Sequence, residues 1–261
     1  MAVTLPLILC WHKVERRGEL GVTRVSPRRF ARQVERLARA GYRTLALSEL
    51  LACARGDREA GPRDLVITFD DAYRGLRDHA FPVLESHGFS AIVGVITDYA
   101  GKLNRWDVAY GGRRFAHLAW RDMRAWQSRG IEFISHSASH PRLTWLDGGD
   151  VERDLVRSRA SLLRELDVSA DAVSYPFGAV DERVTLAARR AGFTAGLALG
   201  ARWTGDAMVI PRLPVYLWTP PRPGSLGALE RAAGTIANRC AIGTTLIRST
   251  WPPPAAATAA S

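Results

Sequence analysis

Two periods of hydrophobic and polar residues alternate along the chain. Short apolar runs read as strands buried on both faces: LPLILCW (5–11), YRTLAL (42–47), DLVITF (64–69), SAIVGVI (90–96), IEFIS (131–135), AVSYP (172–176) and FTAGLAL (193–199). VIPRLPVY (209–216) reads as a further extended piece. Between the runs the period lengthens to that of a helix. SPRRFARQVERLARAG (26–41) predicts a helix with Ser26 at its cap, Pro27 in its first turn and Gly41 at its end. Phe30, Val34, Leu37 and Ala38 form its apolar stripe. Helices are also expected over 48–56, 73–87, 119–130, 149–167, 181–192 and 223–240.

Strand-then-helix units in such a row predict an α/β fold with a parallel sheet. No GxGxxG and no P-loop motif follows any strand, so an open nucleotide-binding sheet loses weight and a (β/α) barrel gains it. The chain has 261 residues, enough for a single domain with a large core, here placed at 1–248 with its centre at about 5–216. The Pro/Ala-rich tail 249–261 is expected to be disordered. Residues 101–120 form a long irregular insertion, a candidate substrate-binding flap.

Composition narrows the function classes. Net charge is +10, and of 36 basic residues only Lys13 and Lys102 are lysine. That bias is read as coding composition or as affinity for a polyanion. No nucleic-acid motif accompanies it, so a nucleic-acid partner is not expected. Three scattered cysteines without CxxC argue against a disulfide framework or a cysteine-bound metal. No apolar run reaches 18 residues, so no transmembrane segment is expected. The opening MAVTLPLILC lacks a positive n-region, which makes the cytoplasm the default location, with export and membrane association left open. Oligomeric state is not legible.

Chemistry collects at strand ends. DLVITF runs into Asp70 and Asp71, IEFIS into His136-Ser-Ala-Ser-His140, AVSYP into Phe177, and LPLILCW into His12. In a barrel those ends share one rim. Asp70-Asp71 reads as a helix N-terminal acidic pair or as a cation ligand beside a general base. His136 and His140 are spaced for chelation, and with Asp71 they make a three-ligand set that leaves room for water and substrate. Nitrogen and oxygen donors of this kind suit Zn2+, with Co2+, Ni2+, Mn2+ and Fe2+ also accommodated.

Thr68-Phe-Asp-Asp71, His136-Ser-x-x-His140-Pro141 and Tyr175-Pro-Phe-Gly178 together resemble the motifs of the polysaccharide deacetylases, carbohydrate esterase family 4, over residues 5–216. The resemblance implies a distorted (β/α)7 barrel and a metal-dependent hydrolase that removes N-acetyl groups from an amino sugar in a glycan. It implies Asp70 as catalytic base, Asp71, His136 and His140 as metal ligands, and the backbone N–H of Phe177 as oxyanion donor, with Tyr175 and Pro176 beside the substrate. The common general-acid histidine near the C-terminal end has no counterpart, because residues 224–261 contain no histidine. Trp11-His12 on the first strand is similar to the "YH" motif of a circularly permuted subset, the poly-N-acetylglucosamine deacetylases. His12 is therefore expected either as general acid or as a structural ring satisfied by backbone groups.

Departures from the family pattern carry their own expectations. The arginine usual before the proline stretch is absent, and Arg212 is the candidate substitute that orients the base. Ala72 stands where glycine is frequent, so its backbone is expected to avoid positive φ. Trp106 is expected as an exposed aromatic able to stack on a sugar, whereas Trp120, Trp126 and Trp145 are expected to pack. His79, His87 and His117 are expected in surface or capping roles. Two other readings stay open: a deacetylase of a lipid-linked or small-molecule amino sugar or an O-acetyl ester, and an inactive glycan-binding domain.

Overall fold

The computed structural model describes residues 3–18, 23–106 and 114–216. The helix expected over 223–240 and the tail 249–261 lie outside the described residues. The first half of the chain forms β1 (Leu7–Trp11), two short strands β2 (Lys13–Val14) and β3 (Arg24–Val25), α1 (Pro27–Arg39), β4 (Arg43–Thr44), α2 (Leu47–Arg55) and β5 (Asp64–Phe69). α3 (Phe81–Ser86), β6 (Ala91–Val95), α4 (Trp120–Gln127), β7 (Ile131–Ser135), α5 (Gly148–Leu166), β8 (Ala172–Ser174), α6 (Glu182–Arg190), β9 (Ala195–Leu199) and β10 (Ile210–Pro214) follow.

Seven strands close into a parallel barrel in the order β1-β10-β9-β8-β7-β6-β5, and β5 pairs back to β1. β4 joins β5 through Arg43↔Asp64 and Thr44↔Leu65, along the edge that β6 takes at Thr68. The helices lie outside, as the (β/α)7 reading requires. Register fixes what happens at the rim. β1 and β5 pair residue for residue from Leu7↔Leu65 to Trp11↔Phe69, and the Asp70 N–H donates to the Trp11 carbonyl at 3.0 Å. His12 and Asp70 therefore leave the barrel side by side.

Alternation along each strand sorts the side chains. Inward positions begin with an aliphatic layer of Ile8, Val66, Ile92, Ile134, Ala172, Leu197 and Ile210, with Leu50 and Cys53 of α2 packed against it. Burying each of the larger aliphatics contributes about 1.5–3 kcal/mol, so this layer stabilises the barrel. Two residues further along the same strands stand Cys10, Thr68, Gly94, His136, Ser174 and Arg212. The interior thus turns polar at the C-terminal end. Outward positions such as Leu9, Trp11, Ile67, Phe69, Val93 and Phe133 pack under Phe30 and Val34 of α1, Phe81 of α3, and Met123 and Trp126 of α4.

The helix expected from Tyr73 begins later. Asp71 and Ala72 adopt φ of 69° and 53°, and a wide π turn over Leu76–Ala80 precedes α3. The Phe81 N–H donates to the Leu76 carbonyl across the wide turn, and Pro82 stands in the first turn of α3, where its missing N–H is tolerated. Ala72 corrects the expectation of negative φ; the Leu118 N–H donates to its carbonyl at 2.8 Å and holds it there. Among the described residues no helix is long and apolar enough to cross a membrane.

Candidate active site

Asp70 sits at the end of β5, 1% exposed, facing Arg212 from β10, also 1% exposed. The guanidinium grips the carboxylate in a fork: Nη1 donates to Oδ1 and Nη2 to Oδ2, each at 2.9 Å. Ser174 completes the set; its hydroxyl donates to Asp70 Oδ1 at 2.8 Å and accepts from Arg212 Nη2 at 2.7 Å. Burial alone would raise the Asp70 carboxyl, but Arg212, together with His136 and His12, outweighs it and holds the group well below the usual carboxylate range. Arg212 is held above its usual value by the same pair, against the effect of burial. Cys10 lies alongside, with its thiol donating to Asp70 Oδ2 at 3.4 Å, and burial pushes that thiol up so that it stays protonated.

Asp71, His136 and His140 converge on one point, with their ligand atoms all within 4.8 Å of one another and all three residues buried. Asp71 Oδ1 lies 3.4 Å from Nε2 of His136 and 3.4 Å from Nε2 of His140. His136 Nδ1 donates to the Ser174 carbonyl at 2.8 Å, which turns the lone pair of Nε2 toward Asp71. Acceptors facing one another in a dry site need a cation between them. Metal–ligand bonds of about 2.0–2.1 Å in a tetrahedron imply ligand separations of about 3.4 Å, which matches the separation of Asp71 from each imidazole. The residues fit a divalent ion. Burial would raise Asp71, yet His136 and His140, when both imidazoles are protonated, bring it down to about 2.

The loop bearing the two histidines is tightly held. Ser137 and His140 adopt φ of 64° and 60°. The His140 N–H donates to Ser137 Oγ at 2.9 Å, and Asp154 of α5 accepts the Ala138 N–H and the Ser139 hydroxyl, each at 2.7 Å. Gly94 forms the floor: a Cβ there would stand 3.1 Å from Asp70 Oδ1 and 3.2 Å from His136 Cβ. Phe177, at φ 60° and ψ 8°, sets its ring edge-on to His140 at 4.6 Å. His12 is partly buried on the rim. One of its ring nitrogens lies within 4.8 Å of an Asp70 oxygen, and its Nδ1 has no hydrogen-bond partner. Burial lowers its pKa, opposed by the charges of Asp71 and Asp70.

Several expected residues stand elsewhere than the sequence placed them. Trp106 is 4% exposed, with its ring 3.9 Å from that of His140 and its N–H on His117 at 3.1 Å, because the insertion folds its aromatics inward around Tyr73, Ile96 and Phe115. Tyr175 is fully buried with Val173, Val184 and Ala198, and its hydroxyl crowds the α-carbon of Gly196, so it offers no face to a sugar. Pro176 is buried as well. Trp145, expected to pack, is 48% exposed with Arg142 over its ring. His117, expected near the surface, is 2% exposed and bonds the Asp71 carbonyl. Asp154 and Gly94 escaped the sequence reading altogether; a carboxylate on an apolar helical stripe and a glycine inside a buried strand were the signals they carried.

A parallel barrel thus carries on one rim a carboxylate, Asp70, clamped by an arginine, beside Asp71, His136 and His140, which could hold a divalent ion. The polysaccharide deacetylase family model matches residues 57–196, more than half of the sequence, and the chain belongs to that family. YxkH of Bacillus subtilis (strain 168), named as a polysaccharide deacetylase, is 25% identical over 190 residues, covering 73% of this chain and 63% of that protein. The chain thus spans less than two thirds of that relative's length. Among solved structures, the Streptococcus pyogenes deacetylase PplD in complex with acetate superposes with a TM-score of 0.72 at 20% identity, over 83% of this chain and 94% of that one. IcaB from Ammonifex degensii gives 0.69 at 20% identity over 89% and 96%. At this identity the superpositions show the shared fold.

Proposed function

We propose that the protein is a metal-dependent N-deacetylase acting on an N-acetylated amino sugar within a glycan. The observation that carries the reading is a buried carboxylate, Asp70, clamped beside the convergent Asp71, His136 and His140 on one rim. Asp71, His136 and His140 hold the ion, taken as Zn2+ from the donor set and spacing. A bound divalent cation supplies Lewis acidity, polarising the acetyl carbonyl and making water acidic near pH 7.

The remaining work falls to the chain. Asp70, kept ionised by Arg212, accepts the proton of the attacking water at a carboxylate oxygen. The N–H of Phe177 donates to the oxygen where negative charge develops, a contribution of about 3–4 kcal/mol for a well-aimed donor. His12 protonates the departing amine. Two structural neighbours support the class of reaction: the Streptococcus pyogenes deacetylase holds acetate, and another neighbour is a de-N-acetylase from Aggregatibacter actinomycetemcomitans.

The test is acetate release from a panel of N-acetylated and O-acetylated sugars, with protein stripped of metal, reloaded with Zn2+, and carrying Asp71→Ala. Release that disappears on stripping, returns on reloading and is lost in Asp71→Ala is expected, with N-acetyl substrates preferred. Failure of wild type to bind stoichiometric metal, or metal binding undiminished in Asp71→Ala, sinks the hydrolase reading. Gly94→Ala provides a finer check. Asp70 and His136 are both pinned, so the new methyl displaces them by a few tenths of an ångström. Turnover is expected to fall about tenfold, while urea denaturation registers a loss of about 1–3 kcal/mol.

A further inference from the structure

The insertion between β6 and α4 reaches the site in an unexpected way. Its two arms form an antiparallel ribbon through Leu103↔Ala116, and His117 bridges to Tyr73 just after the two left-handed residues Asp71 and Ala72. His117 stacks on Tyr73 with centroids 4.8 Å apart. The indole N–H of Trp106 is a donor only, and it points to His117 Nε2 at 3.1 Å. Nε2 must accept, so the ring proton lies on Nδ1, which donates to the Asp71 carbonyl at 2.5 Å. The same Trp106 lays its ring against His140, centroid to centroid at 3.9 Å.

We propose that Trp106 and His117 are positioning residues that brace two of the three metal ligands, Asp71 through its backbone and His140 through its ring, and so set the affinity of the site for a divalent cation. This rests on the metal reading above. Groups that orient ligands from behind typically change metal affinity by about 10–100-fold when removed. Here the brace acts on the main chain of Asp71, whose φ of 69° lies outside the region most side chains adopt. Without it, the carboxylate has no fixed direction from which to meet the two imidazoles.

The experiment is a Zn2+ titration of metal-free protein in competition with a chromophoric chelator, on wild type, Asp71→Ala, His117→Leu, His117→Asn and Trp106→Phe. His117→Leu is expected to weaken binding by about 10–100-fold. His117→Asn, whose amide N–H replaces Nδ1–H toward Asp71, is expected to recover most of that loss. Trp106→Phe keeps a ring on His140 but no longer fixes the imidazole tautomer, and it is expected to weaken binding by less than His117→Leu. Should His117→Leu fail to fold, Trp106→Phe decides, because its change in volume is small. Unchanged affinity in the folded variants overturns the brace, and so does an asparagine variant as weak as the leucine one. Wild type that binds no Zn2+, or binds it equally well without Asp71, overturns the metal reading and the brace with it. Binding lost in Asp71→Ala but intact in His117→Leu overturns the brace alone.

Discussion

Arg212→Leu is expected to cost about 3–5 kcal/mol of stability at neutral pH, because it strands the buried Asp70 carboxylate without its counter-charge. Turnover should fall by at least 10²-fold, since the base loses the fork that aims it. The pH dependence tests the cause. In the native protein the Asp70 carboxyl is held below its unfolded value of about 3.9, so its stabilising contribution is present above about pH 4 and lost as pH falls further. In the leucine variant burial, the largest influence, is opposed only by His136 and His12, and the carboxyl is expected above its unfolded value. Stability then declines as pH rises from about 4 through the new folded pKa. The deficit against wild type is therefore largest at pH 7 and shrinks toward pH 4.5. Urea titrations at the two pH values measure it. The double variant Asp70→Asn/Arg212→Leu, which removes the stranded charge, should regain much of the lost stability while remaining inactive. A single variant within about 1 kcal/mol of wild type at pH 7, or a deficit equal at both pH values, would show that the pair is not what stabilises this rim.

Much of the barrel was legible because its strands are buried on both faces and its helices carry clear apolar stripes. The interior was legible one level deeper than strand assignment. Stepping by two from Ile8, Val66, Ile134 and Ile210 reaches Cys10, Thr68, His136 and Arg212, and then His12 and Asp70. Period-2 alternation thus faces Arg212 and Asp70 into one interior, while the pairing of β1 with β10 and β5 brings them together across 142 residues of sequence. What escaped was contact across the insertion. His117 meets Asp71 over 46 residues through a ribbon that no periodicity announces. Trp106 looked exposed because its neighbours Asn104, Arg105 and Asp107 are polar, yet the ribbon turns its ring inward. Ala72 failed for another reason. Glycine preference is a local cost of about 1–2 kcal/mol, and the Leu118 N–H bond and the burial of this turn offset it.

His12→Gln is expected to lower kcat by about 10²–10⁴-fold, the range typical of a positioned acid or base, while leaving metal stoichiometry intact. Three features support a proton-transfer role over a structural one. A structural histidine on a strand end has both nitrogens engaged, whereas His12 Nδ1 is buried with no partner. Its ring stands within 4.8 Å of the base, close enough for the two to serve opposite sides of one tetrahedral centre. No other described imidazole is placed to do so: His136 and His140 converge on Asp71 as proposed metal ligands, and His117 is tied to Trp106 and Asp71. The sign of the pH effect follows from its surroundings. Burial disfavours the imidazolium and lowers the pKa, while Asp71 and Asp70 oppose this only in part. The acid form is then lost as pH rises through a midpoint below the ordinary imidazole value of about 6.5. An alkaline limb of kcat/KM in that region is expected for wild type and should vanish in His12→Gln, whose amide does not titrate. Persistence of the same limb in the glutamine variant, or turnover equal to wild type, would return His12 to a packing role and leave the amine without a proton donor among the described residues.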